Sequence, residues 1–224
     1  MIIGSGLIAS TFNKLASETL LKNFIVFASG VSNSSKNDTK EFDREKTLLI
    51  DTIKSNNLPI IYFSSILVNT SNTQYYNHKL NMENVIKEHT NNYLILRIPQ
   101  VIGIGGNKNT LFNFIKTSIE TDQIITTNEK VERALIDADD LVRIVDWCKD
   151  FKGTLRLSSI EKINMVDLCN IIGKNLRNIP KLNIEENLNF DNWTCENSDY
   201  INIVLNELNI EMVGYTERLV KKYI

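Results

Sequence analysis

The sequence is poor in the features that mark secreted, metal-binding and nucleic-acid-binding proteins. Its 224 residues include three cysteines, Cys148, Cys169 and Cys195, an odd number with long and unequal spacing. This pattern argues against a disulfide framework and a zinc site, so we expect reduced, buried thiols and no metal. Because the chain has no basic tract and a net charge of −2, we expect no DNA or RNA partner.

Long hydrophobic runs are also missing. The longest apolar stretches, such as FIVFA at 24–28 and LPIIYF at 58–63, fall far short of the roughly 20 residues of a membrane-spanning helix. Met1 is followed by none of the basic residues of a secretion signal. With 42% hydrophobic and 23% charged residues, the composition indicates a globular protein, and we expect it to be cytoplasmic and without a membrane contact.

The chain does show an alternation of short apolar strands with helical patterns. Strands are predicted at 1–3, 24–30, 58–65 and 92–99, and helices at 7–21, 40–55 and 75–89. This alternation predicts an α/β fold with a mostly parallel sheet flanked by helices. The later pattern is looser: it predicts helices at 111–119, 139–148 and 165–176, strands at 124–127 and 154–158, and an amphipathic segment from residue 207.

A glycine turn, GSGLIA at 4–9, follows the first strand. Gly4 and Gly6 permit close backbone approach, and the helix beginning near Leu7 points its N-terminal amides at an anion. Taken alone, the stretch is equally compatible with a tight turn. A dinucleotide site also needs an acidic residue about 20 positions later, and here the first acid after Glu18 is Asp38.

Three polar residues downstream form a candidate catalytic group. Ser65 ends a predicted strand, and Tyr75 and Lys79 lie four apart on one helix face. A nearby cation favours the phenolate of a tyrosine and lowers its pKa from about 10, while a serine hydroxyl can hold a C–O group for hydride transfer. Alone, Tyr-x-x-x-Lys is a weak signal that also fits an exposed helix N-terminus.

The informative stretches occur in one order along most of the chain: GSGLIAS at 4–10, YFSSILV at 62–68, YYNHKLNME at 75–83, LRIPQVIG at 96–103, RALIDADDL at 133–141 and GTLRLSSIEKINMVDL at 153–168. Together they resemble the extended short-chain dehydrogenase/reductases that act on nucleotide sugars. The resemblance implies a Rossmann-like sheet with a small C-terminal substrate lobe. We expect a truncated cofactor-binding and catalytic core at 1–104, and the remainder of the core with the substrate-binding lobe at 105–224, in a single compact unit.

The resemblance also implies roles for individual residues. Tyr75 matches the general acid/base, Ser65 the hydroxyl that holds the substrate oxygen, and Lys79 the partner of the tyrosine, which also binds the nicotinamide ribose. The other implied cofactor-binding residues are Gly4, Ser5, Gly6, Leu7, Ile8, Ala28, Ser29, Gly30 and Pro99. The implied substrate-binding residues are Gln100, Asn109 and Arg133, although 107–109 fits a solvated turn equally well. For Arg97, in the same motif as Gln100, we favour a structural ion pair.

Three departures from the family pattern narrow the interpretation. Only β-α-β-α-β precedes Ser65, so the units that usually build the adenosine half-site are missing, and Ile3 and Ala9 replace the outer glycines of the turn. Ile66 and Leu67 stand where dehydratases of the family carry an Asp-Glu pair, which argues against a dehydratase. The histidines, His78 and His89, match no expected acid or base, and we expect both on the surface.

The resemblance implies an NAD- or NADP-dependent reductase or epimerase of a nucleotide-activated sugar, serving bacterial surface polysaccharide synthesis. It also implies a homodimer formed through the helices at 40–55 and 75–89. The alternative is a cofactor-poor or cofactor-free binding or regulatory protein that keeps the fold and the sugar pocket. The truncated adenosine site favours this alternative, and the joint retention of Ser65, Tyr75 and Lys79 argues against it.

Overall fold

The computed structural model describes residues 1–31, 39–108, 110–186 and 199–224. Its first half contains β1 (Ile2–Ile3), α1 (Leu7–Leu15), α2 (Glu18–Asn23), β2 (Ile25–Phe27), α3 (Thr39–Lys54), β3 (Ile60–Ser65), α4 (Gln74–His89) and β4 (Tyr93–Ile98). Its second half contains β5 (Gln100–Ile102), α5 (Leu111–Glu120), β6 (Ile124–Thr127), β7 (Glu132–Asp137), α6 (Ala138–Cys148), β8 (Gly153–Arg156), β9 (Lys162–Asn164), α7 (Met165–Leu176), β10 (Lys181–Ile184), α8 (Asp199–Glu207) and α9 (Tyr215–Tyr223).

Five parallel strands form the central sheet, in the order β1-β2-β3-β4-β8. Its middle strand, β3, pairs Ile60 with Ile25 on one side and with Tyr93 on the other. The inner strands are mostly apolar because helices cover both faces, as parallel sheets require, and their polar residues lie toward the carboxyl ends. The predicted α/β class with a mostly parallel sheet is confirmed.

Alternate residues of β3 point into two separate hydrophobic cores, as the two-residue period of a strand dictates. Ile61 and Phe63 lie in the core beneath α1 and α6, where the ring of Phe12 meets that of Phe63 edge-on at 5.4 Å between centroids. Ile60 and Tyr62 lie in the core beneath α3 and α4. The sheet is therefore a middle layer between two helical layers.

The connections into and out of β2 have opposite hands. Both step in the same direction across the sheet, yet α1 packs on one face and α3 on the other. The crossovers through α3 and α4 share a face and therefore share a hand. Because about 98% of such crossovers are right-handed, we assign the rare left-handed form to the connection from β1 to β2.

Two small sheets lie outside the central one, β5-β7-β9 and β6-β10. The last helix, α9, is fastened to the start of α6. Lys222 Nζ lies 2.7 Å from Asp137 Oδ2 and 2.7 Å from Asp139 Oδ2, and the Tyr223 hydroxyl donates to Asp137 Oδ1 at 2.6 Å. Since Asp137 also caps α6, this cluster holds the C-terminal segment against the strand β7 that borders the site.

The helix predicted at 7–21 is in fact two helices, because the chain turns at Ala16 and Ser17. The Ser17 hydroxyl accepts a hydrogen bond from the amide of Leu20 at 3.2 Å and caps α2. Serine is a preferred N-cap residue, so this break had a signal in the sequence. The short strands β5, β7, β9 and β10 and the helix α8 were not predicted.

In the described residues, no helix is both long enough and apolar enough to cross a bilayer. The same part of the chain holds no group of three or more His, Cys, Asp or Glu side chains placed to bind a metal ion. Cys148 and Cys169 are buried free thiols, as predicted, and burial raises the pKa of each to about 11. Cys195 lies outside the described residues.

Candidate active site

A cavity of about 520 Å³ opens at the carboxyl ends of β1 to β4. This is the edge of a parallel sheet where α/β proteins bind ligands, and the volume is typical of a small-molecule site. Strand ends and the first turns of α1, α4 and α5 surround it. Of the residues proposed for the site from the sequence, it brings together Gly6, Leu7, Ile8, Ala28, Gly30, Ser65, Tyr75, Lys79, Pro99, Gln100 and Arg133.

The three candidate catalytic residues all line this cavity. Ser65 is the last residue of β3, and its hydroxyl accepts a hydrogen bond from the amide of Leu67 at 3.2 Å. Tyr75 and Lys79 lie one turn apart at the start of α4, which Thr73 caps. The end of β3 and the start of α4 thus place Ser65 on the same wall of the cavity as Tyr75 and Lys79, which come ten and fourteen residues later in the sequence.

Lys79 is almost fully enclosed, with 4% of its surface exposed. Its Nζ donates to Glu45 Oε1 at 3.1 Å, to the Tyr62 hydroxyl at 3.0 Å and to the Phe63 carbonyl at 3.4 Å. Burial alone lowers the pKa of Lys79, but the charge of Glu45 and its hydrogen bond outweigh burial and raise the pKa. The side chain is therefore held as an ammonium ion at the base of the cavity.

Glu45 completes this cluster from α3 and was missed in the sequence. It is fully buried, and its Oε1 also accepts from the Tyr62 hydroxyl at 2.8 Å. Its Oε2 accepts from the amide of Val31 at 3.0 Å and lies 3.0 Å from His78 Nε2. Burial alone raises the pKa of Glu45, but Lys79 and these hydrogen bonds hold it well below its usual range.

His78 corrects one of our expectations, because it is buried rather than on the surface. Its ring stacks on Phe42 at 4.3 Å between centroids, and its Nε2 meets Glu45. Both partners of His78, Phe42 and Glu45, lie on α3. The face of this helix that packs on α4 therefore carries a carboxylate as well as apolar side chains. His89, at the far end of α4, is exposed as predicted.

The pKa of Tyr75 is not lowered, as its spacing from Lys79 predicts, but raised. Burial raises the pKa of Tyr75, Lys79 lowers it and Glu45 raises it again, and the net shift is upward. The Lys79 ammonium lies 5.9 Å from the centre of the Tyr75 ring, with Glu45 beside it. At neutral pH the phenol therefore carries its proton, which suits a proton donor.

A second buried ion pair supports the same wall. Glu83 accepts from Arg97 Nε at 2.9 Å and Arg97 Nη2 at 2.7 Å, and from the Ser64 hydroxyl at 2.6 Å. Two-point pairs of this kind are geometrically specific as well as strong. The structural role favoured for Arg97 is confirmed, and the pair ties α4 to β3 and β4 directly beneath Ser65.

The glycine turn contributes unequally to the cavity. Gly6, Leu7 and Ile8 line it, whereas Gly4 and Ser5 are not among its lining residues. Gly4 has φ +130°, and a Cβ there would stand 2.3 Å from the Ala28 carbonyl oxygen, so this glycine is required by the close approach of the turn to β2. Gly6 caps α1 without a side-chain hydrogen bond, and its Cβ position meets nothing within 4 Å.

The segment after β2 passes directly over Lys79. Ala28 and Gly30 line the cavity, and a Cβ at Gly30 would stand 2.7 Å from Lys79 Nζ. Ser29 is not among the lining residues, and its hydroxyl lies 3.4 Å from Arg44 Nη1. Residue 30 is a glycine because the backbone of this segment packs so closely on Lys79 that a larger residue would displace the lysine.

The proposed substrate residues lie on the opposite wall. Gln100 begins β5 and Arg133 lies in the neighbouring strand β7, and both line the cavity. Asn109 lies outside the described residues, while the Asn107 carbonyl accepts hydrogen bonds within its own turn. The sequence did not predict the apolar part of the lining, which includes Phe27, Val31, Tyr62, Phe63, Ile66, Leu67, Tyr76, Ile98, Val101, Leu111, Phe114 and Ala134.

No protein-family model matches this chain, and no curated protein sequence matches it. Solved structures do match it. A UDP-N-acetylglucosamine 4-epimerase from Methanobrevibacter ruminantium, in complex with UDP-N-acetylmuramic acid, has a TM-score of 0.69 at 16% identity and covers 95% of this chain and 78% of its own. A dTDP-4-dehydrorhamnose reductase from Clostridium acetobutylicum has a TM-score of 0.67 at 15% identity, with 96% and 83% covered.

A UDP-glucose 4-epimerase from Thermus thermophilus, in complex with NAD, has a TM-score of 0.70 at 8% identity and covers 96% of this chain and 79% of its own. The chain has the fold of the extended short-chain dehydrogenase/reductases. The family resemblance drawn from the sequence is confirmed at the level of the fold. Within that short-chain dehydrogenase/reductase fold, the cavity with Ser65, Tyr75 and Lys79 is the candidate active site.

This short-chain dehydrogenase/reductase fold fits the two halves of a nicotinamide dinucleotide unequally. On the nicotinamide side, the backbone at Gly30 packs closely on Lys79, and the first turn of α1 begins beside the cavity with amides that no side chain caps. On the adenosine side, β1 is the edge of the central sheet as far as the structure describes it. The described part of the chain therefore fits a nicotinamide group with a phosphate, and it supplies no adenosine cleft.

Proposed function

We propose that this protein is an NAD- or NADP-dependent reductase or epimerase that acts on a nucleotide-activated sugar. The observation that carries the proposal is the meeting of Ser65, Tyr75 and Lys79 in one cavity at the carboxyl edge of a parallel sheet. Solved structures of the same fold are named as nucleotide-sugar epimerases and reductases, one of them in complex with NAD. Their agreement with the residue pattern supports the assignment.

In the reductive direction, each residue has a distinct task. The Ser65 hydroxyl holds the substrate carbonyl oxygen, and Tyr75 donates its proton to that oxygen as the carbonyl carbon accepts a hydride. The phenol of Tyr75 carries its proton at neutral pH. Burial raises the pKa of Tyr75, and the charge of Lys79 lowers it against this effect, which favours release of that proton. Lys79 stabilises the phenolate that remains, since an ammonium beside a phenolate favours the charged form.

A reduced nicotinamide bound in the cavity supplies the hydride. The residues that would hold it are Lys79, Gly30 and Pro99, with the amides at the start of α1 facing its phosphate. The apolar lining excludes water from the reacting atoms, which strengthens the hydrogen bonds of Ser65 and Tyr75. No metal has a task in this chemistry.

On the substrate side, Gln100 offers an amide to the sugar and Arg133 a guanidinium to the diphosphate, a pairing to which the planar guanidinium is suited. A substrate-binding role for Asn109, which lies outside the described residues, stays a prediction that follows from the family pattern. Service in surface polysaccharide synthesis, pairing of two chains through α3 and α4, and a cytoplasmic location stay predictions that follow from the family.

The test is turnover of a panel of 4-keto and 4-hydroxy nucleotide sugars with NADH, NADPH and NAD, comparing the natural protein with Tyr75→Phe. We expect Tyr75→Phe to lower turnover by about 10²- to 10⁴-fold, the usual contribution of a positioned acid. Tyr93→Phe is the matched control. Tyr93 is the first residue of β4, at the amino ends of the strands and away from the cavity, so this change should leave turnover unchanged. Equal rates in the two variants would remove Tyr75 from the mechanism.

A second function is favoured by one specific observation. The Lys79 ammonium donates to three protein acceptors, and because an ammonium has three donors, this arrangement leaves none for a cofactor ribose and favours a protein that holds a sugar nucleotide without a cofactor. Such a protein would bind the sugar nucleotide and show no affinity for any reduced nicotinamide up to millimolar concentration. Calorimetric titration with each ligand separates the two functions.

A further inference from the structure

We propose that the cavity takes only the nicotinamide mononucleotide half of a cofactor, so that reduced nicotinamide mononucleotide binds as tightly as NADH or NADPH. The inference rests on the proposed function, since it requires a nicotinamide group in this cavity. It differs from that function in the cofactor class: the adenosine half of a dinucleotide finds no partner among the described residues, and we expect it to add no affinity.

The order of the strands is the first support. Dinucleotide sites lie across a point where the strand order of the sheet reverses, with one mononucleotide-binding half on each side. In this protein the order β1-β2-β3-β4-β8 rises without reversal, and β1 forms the edge as far as the described ranges reach. The crevice that would receive the second nucleotide therefore has only one of its two walls.

The connection between β1 and β2 is the second support. Residues 4–24 are all described, and they contain α1 and α2 but no strand. This connection is also the one with the rare left-handed path described above. The chain thus passes from the glycine turn to the neighbouring strand without visiting the far side of β1, where an adenosine would lie.

The distribution of acidic residues is the third support. A carboxylate at the end of the second strand normally holds the adenosine ribose hydroxyls. In residues 1–31, all of which are described, Glu18 is the only acidic residue. It begins α2, which leads into the amino end of β2, and it pairs with Lys22 there. No carboxylate of this segment reaches the carboxyl edge of the sheet.

The phosphate of a mononucleotide does have a seat. The helix α1 begins at Leu7, beside the cavity, and Gly6 caps it with a backbone that no side chain obstructs. Helix amides and the helix dipole favour an anion at this end. A nicotinamide over Lys79, a ribose beside Gly30 and a phosphate at Gly6 together account for the lining on this side of the cavity.

The test is a comparison of dissociation constants for reduced nicotinamide mononucleotide, NADH and NADPH, read from nicotinamide fluorescence and calorimetry with and without a sugar nucleotide, and with adenosine as the competitor. We expect the three reduced nicotinamides to agree within about threefold, and adenosine at millimolar concentration to leave the binding of NADH unchanged. NADH binding tenfold or more tightly than the mononucleotide, or displacement of NADH by micromolar adenosine, overturns the inference and leaves the proposed function intact. Failure of every reduced nicotinamide to bind overturns both.

A variant locates the phosphate within the site. Gly6→Asp keeps the helix capped, because aspartate is a favoured N-cap residue, and it places a negative charge at the proposed phosphate seat. We expect it to weaken the mononucleotide by roughly tenfold or more and to leave reduced nicotinamide riboside, which has no phosphate, unchanged. Gly6→Asn has a side chain of the same size without the charge, and it should weaken the mononucleotide less than Gly6→Asp does. Equal binding of the mononucleotide to Gly6→Asp and Gly6→Asn overturns the phosphate placement.

Discussion

The two sides of the cavity are built in different ways. On one side, β3 has six residues, of which only Ser65 is not buried, and α4 has sixteen. Two buried carboxylates, Glu45 and Glu83, fasten Lys79 and Arg97 there. On the other side, β1 has two half-buried residues and β2 has three buried ones, and the small residues Gly6, Ala28 and Gly30 bring the backbone to the wall of the cavity.

The difference indicates what each side has to do. The side with β3 and α4 carries side chains that must stay charged and keep one orientation, and the buried ion pairs of Lys79 and Arg97 ensure both. The side with β1 and β2 has only to leave room and present amides, which glycine and alanine achieve without side-chain partners. One side should therefore fail when a charge is removed, and the other when a methyl group is added.

The largest effect is expected from Glu45→Ala. This change leaves the Lys79 ammonium buried without its opposite charge, and losing one partner of a buried pair costs about 3–5 kcal/mol of unfolding free energy. Chemical denaturation followed by circular dichroism measures the loss. Glu45→Gln should lose less than Glu45→Ala, because an amide still accepts hydrogen bonds from Lys79 and Tyr62.

The matched control is Glu41→Ala, one turn earlier on α3. Glu41 is half-exposed and pairs with Arg44 in solvent, so its removal should cost no more than about 1 kcal/mol. If Glu45→Ala were as mild as Glu41→Ala, the cluster around Lys79 would be a hydrogen-bond network without a stabilising charge.

The same carboxylate predicts a pH dependence of stability. The pKa of Glu45 in the folded protein lies far below its ordinary value of 4.5, so the unfolded chain binds the proton more readily. Its contribution is therefore complete above pH 4.5 and declines as the pH falls below it, by up to about 1.4 kcal/mol per pH unit. Urea midpoints between pH 7 and pH 3 should fall less steeply for Glu45→Gln than for the natural protein. Parallel slopes would contradict this.

The sequence predicted the parts of the site that depend on local pattern. Ser65 could be placed because it ends an apolar run, and Tyr75 and Lys79 because a four-residue spacing puts two side chains on one helix face. Glu45 could not be assigned a role in this way, since its partners lie on other elements. A trace was present, because Glu45 follows Phe42 by three residues and precedes Leu49 by four, which puts it on the same helix face as these two apolar residues.

In the fold, too, the elements that depend on a local sequence pattern were predicted, and those that depend on distant segments were not. The strands of the central sheet follow from apolar runs bounded by turns, and 124–127 and 165–176 were predicted with the bounds that the structure has. The strands β5, β7 and β9 are three to six residues long and are stabilised by pairing between distant segments, which a local pattern does not contain. The unusual hand of the connection from β1 to β2 likewise depends on which face receives α1.

The smallest effects should appear on the side with β1 and β2, where Gly4→Ala and Gly6→Ala form a matched pair two residues apart. Gly4 has φ +130° and its Cβ would stand 2.3 Å from the Ala28 carbonyl oxygen, so alanine should cost roughly 1–3 kcal/mol in backbone strain besides the displacement of β2. Gly6 has φ −77° and open space at its Cβ, so alanine should change stability by no more than about 0.5 kcal/mol. Chemical denaturation of both variants, side by side, measures the contrast. Equal costs would mean that the turn does not need its close approach to β2, and the account of this side as a backbone-built wall would fail.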